Sequence, residues 1–348
     1  MTDQIERAVE LTREALETNS DSHWIVGFSG GKDSTAILKL IHAAALKANP
    51  CPERIDVIYC DTGVENPILD RYVKALFLRL DEELQTPFRL RVLHAPVTDR
   101  FFVKVVGRGY PPPTNSFRWC TSGLRIRPVS RFIRDAALGD AVVALGLRRS
   151  ESRQRDRSIS RAGGEEWQTQ IEGGRRYRMF LPILTFDVAD VWDAIFTLPN
   201  LSGIDPAELA ALYRGASGEC PIVKAPESPP CATGRFGCWT CTVVRKDRSS
   251  ASLIKAGYRE LVPFMEFRDW LASIRNESFR RWPVRRNGSI GMGPFTLATR
   301  REILEKLQKL EAVVGLPIVS PEEQFEIQRL WNLDLMTGEP VCPGLLDT

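Results

Sequence analysis

Two rhythms of apolar and polar positions run along the first two-thirds of this chain. Short, mostly apolar runs at 23–28, 54–60, 141–146 and 179–184, with a mixed run at 88–93, read as strands. Between them, at 6–17, 35–41, 66–84 and 124–138 and again from 187, apolar residues recur at every third or fourth position, the period of a helix packed on one face. Strands alternating with helices predict an α/β fold, a doubly wound and mainly parallel sheet, with ligands outside the carboxyl ends of its strands. The loops after Phe28, Cys60 and Gly146 should meet at that edge. Segment 149–176 is rich in Arg, Ser, Glu and Gly and poor in apolar residues, and is expected to be a mobile excursion. Beyond 201 the chain turns to Pro, Gly and Cys, then to helical periods from 263. The expected organisation is a nucleotide-type domain over 1–200 and a Cys-rich, helical region over 201–348.

Composition narrows this picture only slightly. Apolar content of 43% and charged content of 26% over 348 residues are those of a globular protein. With no apolar run near ~18 residues and a polar start unlike a signal peptide, a cytoplasmic protein without a membrane partner is expected. The net charge of +3 does not by itself point to nucleic acid. Its distribution does more: 148–178 carries nine Arg against five acids, and 275–286 five Arg against one, interleaved with Phe279 and Trp282. Arginines mixed with aromatics can meet phosphates and stack on bases.

The most specific chemistry lies in Ser29-Gly30-Gly31-Lys32-Asp33-Ser34, between the first strand and the first long helix of the sheet pattern. A glycine turn entering a helix N-terminus gathers free N–H groups and the positive end of the helix dipole, so it favours an anion. Gly30 and Gly31 let the backbone come close to a phosphate, and Ser29 and Ser34 offer hydroxyls. Lys32 adds charge, and Asp33 could hold Mg²⁺ against phosphates. The loop is no Walker A motif, which requires Gly at 26 and Ser or Thr at 33, where this chain has Val26 and Asp33.

Further candidates sit at the same sheet edge. Asp61 and Thr62 close the second strand, where a carboxylate or hydroxyl can reach a nucleoside or a metal. Gly146 opens a loop carrying Arg148, suited to charge developing on a phosphate. Cys120 stands among Arg118, Arg125 and Arg127, which would lower its pKa and favour a nucleophilic thiolate; a packed cysteine is the other reading. Cys220, Cys231, Cys238 and Cys241 form Cys-x10-Cys-x6-Cys-x2-Cys. Four thiolates suit a [4Fe–4S] cluster or a tetrahedral Zn²⁺, and the single Cys-x2-Cys favours the cluster.

Together these motifs resemble the PP-loop ATP pyrophosphatases of the phosphoadenylylsulfate-reductase-like superfamily. More narrowly, the chain is similar to the ATP pyrophosphatases of bacterial DNA phosphorothioation, the DndC/SspD group. The resemblance rests on Ser29 to Ser34, on 117–128, on 146–153 and most of all on Phe236-Gly237-Cys238-Trp239-Thr240-Cys241-Thr242-Val243-Val244. It implies cleavage of Mg-ATP to AMP and pyrophosphate, with Ser29, Gly30, Gly31, Lys32, Asp33, Ser34, Asp61, Thr62 and Gly146 around the nucleotide. It further implies catalytic roles for Lys32, Asp33, Arg148 and Cys120, a [4Fe–4S] cluster on the four clustered cysteines, DNA as substrate, and a cysteine desulfurase among its partners in phosphorothioation, a defence modification. Sulfonucleotide reductases that carry a cluster have a Cys-Cys pair where this chain has Cys120-Thr121, which points away from sulfate reduction. A tRNA-thiolating enzyme, or a DNA-binding component that only senses ATP, would keep much of the same pattern.

Overall fold

The computed structural model describes residues 2–84, 86–136, 140–149, 159–160, 164–172, 175–199, 201–217 and 236–337. Six strands, β1 (His23–Phe28), β2 (Ile55–Asp61), β3 (Phe88–His94), β4 (Ala141–Ala144), β5 (Trp167–Glu172) and β6 (Arg175–Phe180), form one sheet in the order β3-β2-β1-β4-β6-β5. β1 runs parallel to β2 and β4, and β4 parallel to β6, so the expected α/β architecture holds. The central strands are apolar on both faces, as sheets covered by crossover helices require: Trp24, Ile25, Val26, Val57, Val142 and Ala144 are all fully buried.

Helices α1 (Asp3–Thr18), α2 (Lys32–Ala45), α3 (Pro67–Glu83), α4 (Arg127–Ala136), α5 (Val188–Thr197) and α6 (Pro206–Ser217) accompany the sheet. α1, α2 and α5 pack on one another, and α2 also on β1. Ile133 of α4 packs with Ile25, Ile58 and Val143. α5 begins on a reciprocal cap in which Asp187 and Asp190 each accept the other's backbone N–H, satisfying two donors that a helix start leaves unpaired.

One expectation fails here. Segment 149–176 is not wholly an excursion, because β5 lies within it and pairs antiparallel with β6 from Trp167 opposite Phe180. The strand alternates Trp167, Thr169 and Ile171 with Gln168, Gln170 and Glu172, a period-two pattern hidden by its polar composition. Trp167 packs tilted against Phe180, ring centres 4.8 Å apart, and meets Trp24 edge-on, which ties the polar strand to the sheet core.

The chain divides into two compact units that do not follow the expected break near residue 200. The first comprises Met1–Cys60, Ile68–Leu93 and Val129–Phe236; the second comprises Asp61–Pro67, His94–Pro128 and Gly237–Thr348. After β2 and again after β3 the chain leaves the sheet unit, and it returns through α4. The second unit holds α7 (Arg248–Lys255), α8 (Val262–Ile274), α9 (Leu297–Val314) and α10 (Pro321–Thr337). Its core joins Phe101, Phe102, Trp239, Phe267, Phe295 and Trp331. α9 starts on Thr296, whose side chain accepts from Thr299 N, and stops at Gly315 in the left-handed conformation. No helix among the described residues is long and apolar enough to cross a membrane.

Candidate functional site

In the first unit the glycine loop connects β1 to α2 as expected. Gly30 has φ of +75°, and a Cβ there would collide with Val73 of α3, so both its conformation and its neighbour require glycine. Gly31 caps α2 without a side-chain hydrogen bond. The hydroxyls of Ser29 and Ser34 lie 3.2 Å apart, Ser29 N donates to Ser34 Oγ at 3.2 Å, and Ser34 Oγ donates to Gly31 O at 2.8 Å. The hexapeptide is thereby folded into a tight cradle at a helix N-terminus, where backbone donors and the dipole favour negative charge.

Two charged groups complete it. Arg148 is 1% exposed and donates from Nε to Asp33 Oδ1 at 2.5 Å. Gly146 lets this loop approach, because a Cβ there would stand 2.9 Å from the backbone carbonyl of Asp33. The structure thus brings Asp33, Gly146 and Arg148 together, with Asp33 as the partner of Arg148. Lys32 is 4% exposed and lies over the ring of Tyr213, its ammonium 4.7 Å from the ring centre. The Tyr213 hydroxyl accepts from Lys32 N at 3.0 Å. Tyr213, on α6, is a contributor that local sequence patterns do not reveal, since it stands 181 residues from its partner.

Asp61, Thr62, Cys120, Cys238 and Cys241 belong to the second unit. Asp61 Oδ1 accepts from Gly63 N at 2.8 Å, closing a turn in which Gly63 has φ of +70°. Thr62 is buried; its hydroxyl donates to Glu65 at 3.0 Å and lies 4.0 Å from Cys238 Sγ. Glu65 also accepts from Arg125 at 2.8 Å and forms an isolated bridge with Cys238. Glu65 was not evident as a member of this group from the sequence.

Cys238 and Cys241 form a turn closed by Cys241 N donating to Cys238 O at 3.0 Å. Trp239 between them is anchored edge-on against Phe264 at 5.0 Å and Phe267 at 5.7 Å. Burial first, and then the Glu65 carboxylate, push the Cys238 thiol up to about 12. A thiol so placed keeps its proton at neutral pH unless a cation takes the proton's place. A turn that presents the sulfurs of Cys238 and Cys241 three residues apart fits half of a four-thiolate metal centre. Cys220 and Cys231 lie outside the described residues.

Cys120 departs from expectation. Burial, followed by the neighbouring Cys241 sulfur, raises its pKa instead of lowering it. The arginines expected to activate it are engaged elsewhere: Arg118 with Asn115, Arg125 with Glu65 and Arg127 with Asp99. Cys120 instead packs with Cys238 against the aromatic core.

Against known proteins, the profile of the phosphoadenosine phosphosulfate reductase domain matches residues 23–244. An uncharacterized protein of Methanocaldococcus jannaschii is 30% identical over 128 residues, 37% of this chain and 23% of that protein. The chain therefore spans under a quarter of that relative's length. Among solved structures, a Candida glabrata FMN adenylyltransferase in complex with FMN and an ATP analogue aligns at 12% identity and a TM-score of 0.40, over 86% of this chain and 82% of that one. A Candida auris phosphoadenylyl-sulfate reductase in a phosphate complex aligns at 14% and 0.33, over 57% of this chain and 89% of that one. Likenesses this loose say nothing about what this chain binds. The domain profile is different, for it spans well over half of the residues and contains both the loop Ser29–Ser34 and the Cys238–Cys241 turn: the chain belongs to the phosphoadenosine phosphosulfate reductase domain family of the PP-loop nucleotide-binding superfamily.

Proposed function

We propose that this chain is a cytoplasmic ATP pyrophosphatase that adenylylates a backbone phosphate of DNA, so that sulfur can replace one non-bridging oxygen. The observation that carries the reading is the glycine cradle at the start of α2, with buried Arg148 tied to Asp33 beside it. Such a cradle suits the β,γ-pyrophosphate of Mg-ATP, with Ser29, Gly30, Gly31 and Ser34 as donors and Asp33 as a Mg²⁺ ligand. Arg148 would stabilise charge at the α-phosphorus.

A non-bridging oxygen of the DNA phosphate attacks the α-phosphorus of ATP, and the bond to the β-phosphate breaks, releasing pyrophosphate. The adenylylated oxygen is now part of a good leaving group. The terminal sulfur of a persulfide, supplied by a partner cysteine desulfurase, attacks the DNA phosphorus, and AMP departs with that oxygen. A thiol reductant then cleaves the S–S bond, leaving sulfur on the DNA. Cys238 and Cys241, with Cys220 and Cys231, would hold the [4Fe–4S] cluster, which when bound supplies a redox-capable or structural centre. The high thiol pKa of Cys120 supports a packing role over that of a sulfur carrier.

Pyrophosphate release by purified protein, with DNA and the desulfurase present, tests this reading. Ser34→Ala should lower the rate at least tenfold, because it removes a hydroxyl of the cradle while leaving the ion pair intact. Phosphorothioate dinucleotides should appear in the DNA by mass spectrometry. ATP left uncleaved would refute the enzyme assignment. The family also makes a sulfonucleotide reductase compatible, and sulfite release from a sulfonucleotide without pyrophosphate release would select it. Anaerobic iron and sulfide analysis should find the cluster; stoichiometric zinc would replace it.

A further inference from the structure

A cavity of about 710 Å³ opens in the second unit, within the range of sites that take small ligands. One wall is a hairpin spanning 281–295. Trp282 N donates to Pro294 O at 2.8 Å, Gly293 N to Trp282 O at 2.7 Å, and Arg285 N to Ser289 O at 2.9 Å. Glycine is obligatory at 293, where a Cβ would fall on the Val284 carbonyl. The opposite wall carries Tyr110 and Phe117, the latter 45% exposed.

The charge of this cavity is one-sided. Arg275, Arg281, Arg285 and Arg286 line it, and no Asp or Glu is among the described lining residues, although the Asp334 carboxylate acts on Arg286. The guanidinium groups of three of them are held by backbone carbonyls: Arg275 by Pro113 O and Thr242 O, Arg281 by Gly293 O, Arg275 O and Met292 O, and Arg286 by Arg108 O. Carbonyl dipoles orient a guanidinium but leave its charge in place. Arg275 Nε is buried without an acceptor among the described residues. Burial and the neighbouring Arg275 pull the Arg281 pKa down to about 10, still well above neutrality. Arg275, Arg281 and Arg285 converge on a lining with no carboxylate among its described residues, an arrangement that favours an anion, and planar forks favour phosphate.

The aromatic wall narrows the class of anion. Phe117 offers an open ring face, while Tyr110 already carries Arg286 over its ring at 5.6 Å. Asn276 and Asn287 add amides that can both donate and accept. Val284, Ile290 and Met292 project from the hairpin, with Ile290 91% exposed. Forked cations, an open ring and projecting apolar side chains are the elements by which proteins hold unstacked nucleotides.

We infer that this cleft binds one unstacked nucleotide of a single nucleic-acid strand, its phosphate on the arginines and its base against Phe117. The inference rests on the proposed reading only for nucleic acid as the substrate class. It names the form in which that substrate is held.

Fluorescence anisotropy with a labelled twelve-nucleotide single-stranded DNA and the matching duplex tests it, using the full chain. The single strand should bind at least tenfold more tightly than the duplex. Arg285→Ala and Phe117→Ala should each weaken single-strand binding about five- to tenfold, and Phe117→Trp should restore it. Both positions are exposed and outside the core, and circular dichroism of the variants should match the parent. Equal binding by parent and variants, or preference for duplex, would overturn the inference. So would competition by poly-glutamate or a free nucleoside monophosphate at the strand's own affinity, which would assign the charge to an acidic peptide or a small nucleotide. Mg-ATP binding by the parent, measured calorimetrically and lost in Ser34→Ala, reports the cradle independently of the strand and separates failure of this inference from failure of the proposed activity.

Discussion

At the start of α2 the anion-favouring groups are already occupied by the protein itself: Asp33 sits on Arg148, and the Tyr213 hydroxyl on Lys32 N. In the hairpin cleft of the second unit, Arg275 and Arg281 are held by carbonyl oxygens, with no acid among the described residues of the cavity wall. The first arrangement uses a carboxylate to neutralise a buried guanidinium before any ligand arrives. The second uses dipoles, which orient charge without cancelling it. A carboxylate partner makes a cation structurally safe and lets it be exchanged between partners; carbonyl partners keep it available to a ligand continuously. Charge type alone therefore does not distinguish the two sites. The identity of the acceptor does.

Removing the carboxylate should break this comparison most sharply. Asp33→Ala removes the carboxylate to which Arg148, 1% exposed, donates. Breaking a largely buried pair costs about 3 kcal/mol, and urea denaturation should show a loss of that order. Asp33→Asn retains an acceptor and should lose roughly half as much. If Asp33→Ala matches the parent in urea, carbonyl groups alone suffice for Arg148, and the two sites are not different in kind.

The buried carboxylate Asp56 supplies a reference for a purely structural cluster. It accepts from His23 at 2.5 Å, Arg54 at 2.6 Å and Arg91 at 3.3 Å. Burial would raise its pKa, but the hydrogen bonds from His23 and Arg54 outweigh it and hold the carboxyl below the ordinary Asp value. Since the folded pKa is the lower one, the cluster's stabilisation is complete above the unfolded pKa of about 3.9 and is lost as pH falls through the folded value. Asp56→Asn should cost about 2 kcal/mol at pH 7, and the gap from the parent should narrow steadily below about pH 4. A gap independent of pH would mean that shape, not charge, holds the cluster.

Legibility in the sequence followed the range of the interactions. The loop Ser29–Ser34 was readable because its glycines, hydroxyls and helix start are contiguous, and the sheet was readable because its central strands are apolar throughout. β5 escaped because Gln168, Gln170 and Glu172 disguise an alternating strand whose anchor is Trp167 on Phe180. Cys120 carried two readings, activated thiolate and packed cysteine, because the acceptors of Arg125 and Arg127 stand 60 and 28 residues away. Local charge suggested an activated thiol, whereas the folded chain diverts that charge to Glu65 and Asp99. The interleaved units were hidden for the same reason, since nothing at 61–67 or 94–128 announces that those segments pack with the distant C-terminal helices.

The smallest expected effect concerns the hydroxyl at the cradle. Tyr213→Phe keeps the ring beneath Lys32 and deletes only the acceptor for Lys32 N. A buried donor left unsatisfied costs about 1 kcal/mol, so the variant should unfold slightly earlier in urea without nucleotide. If a phosphate takes that N–H when ATP binds, the missing hydroxyl no longer matters in the complex. The difference between variant and parent should then shrink toward zero at saturating Mg-ATP, and apparent ATP affinity should rise about threefold because the phosphate no longer displaces a competitor. An unchanged stability gap with ATP would mean that the Tyr213 hydroxyl stays on Lys32 N in the complex, making it a fixed wall of the cradle instead of a stand-in for the ligand.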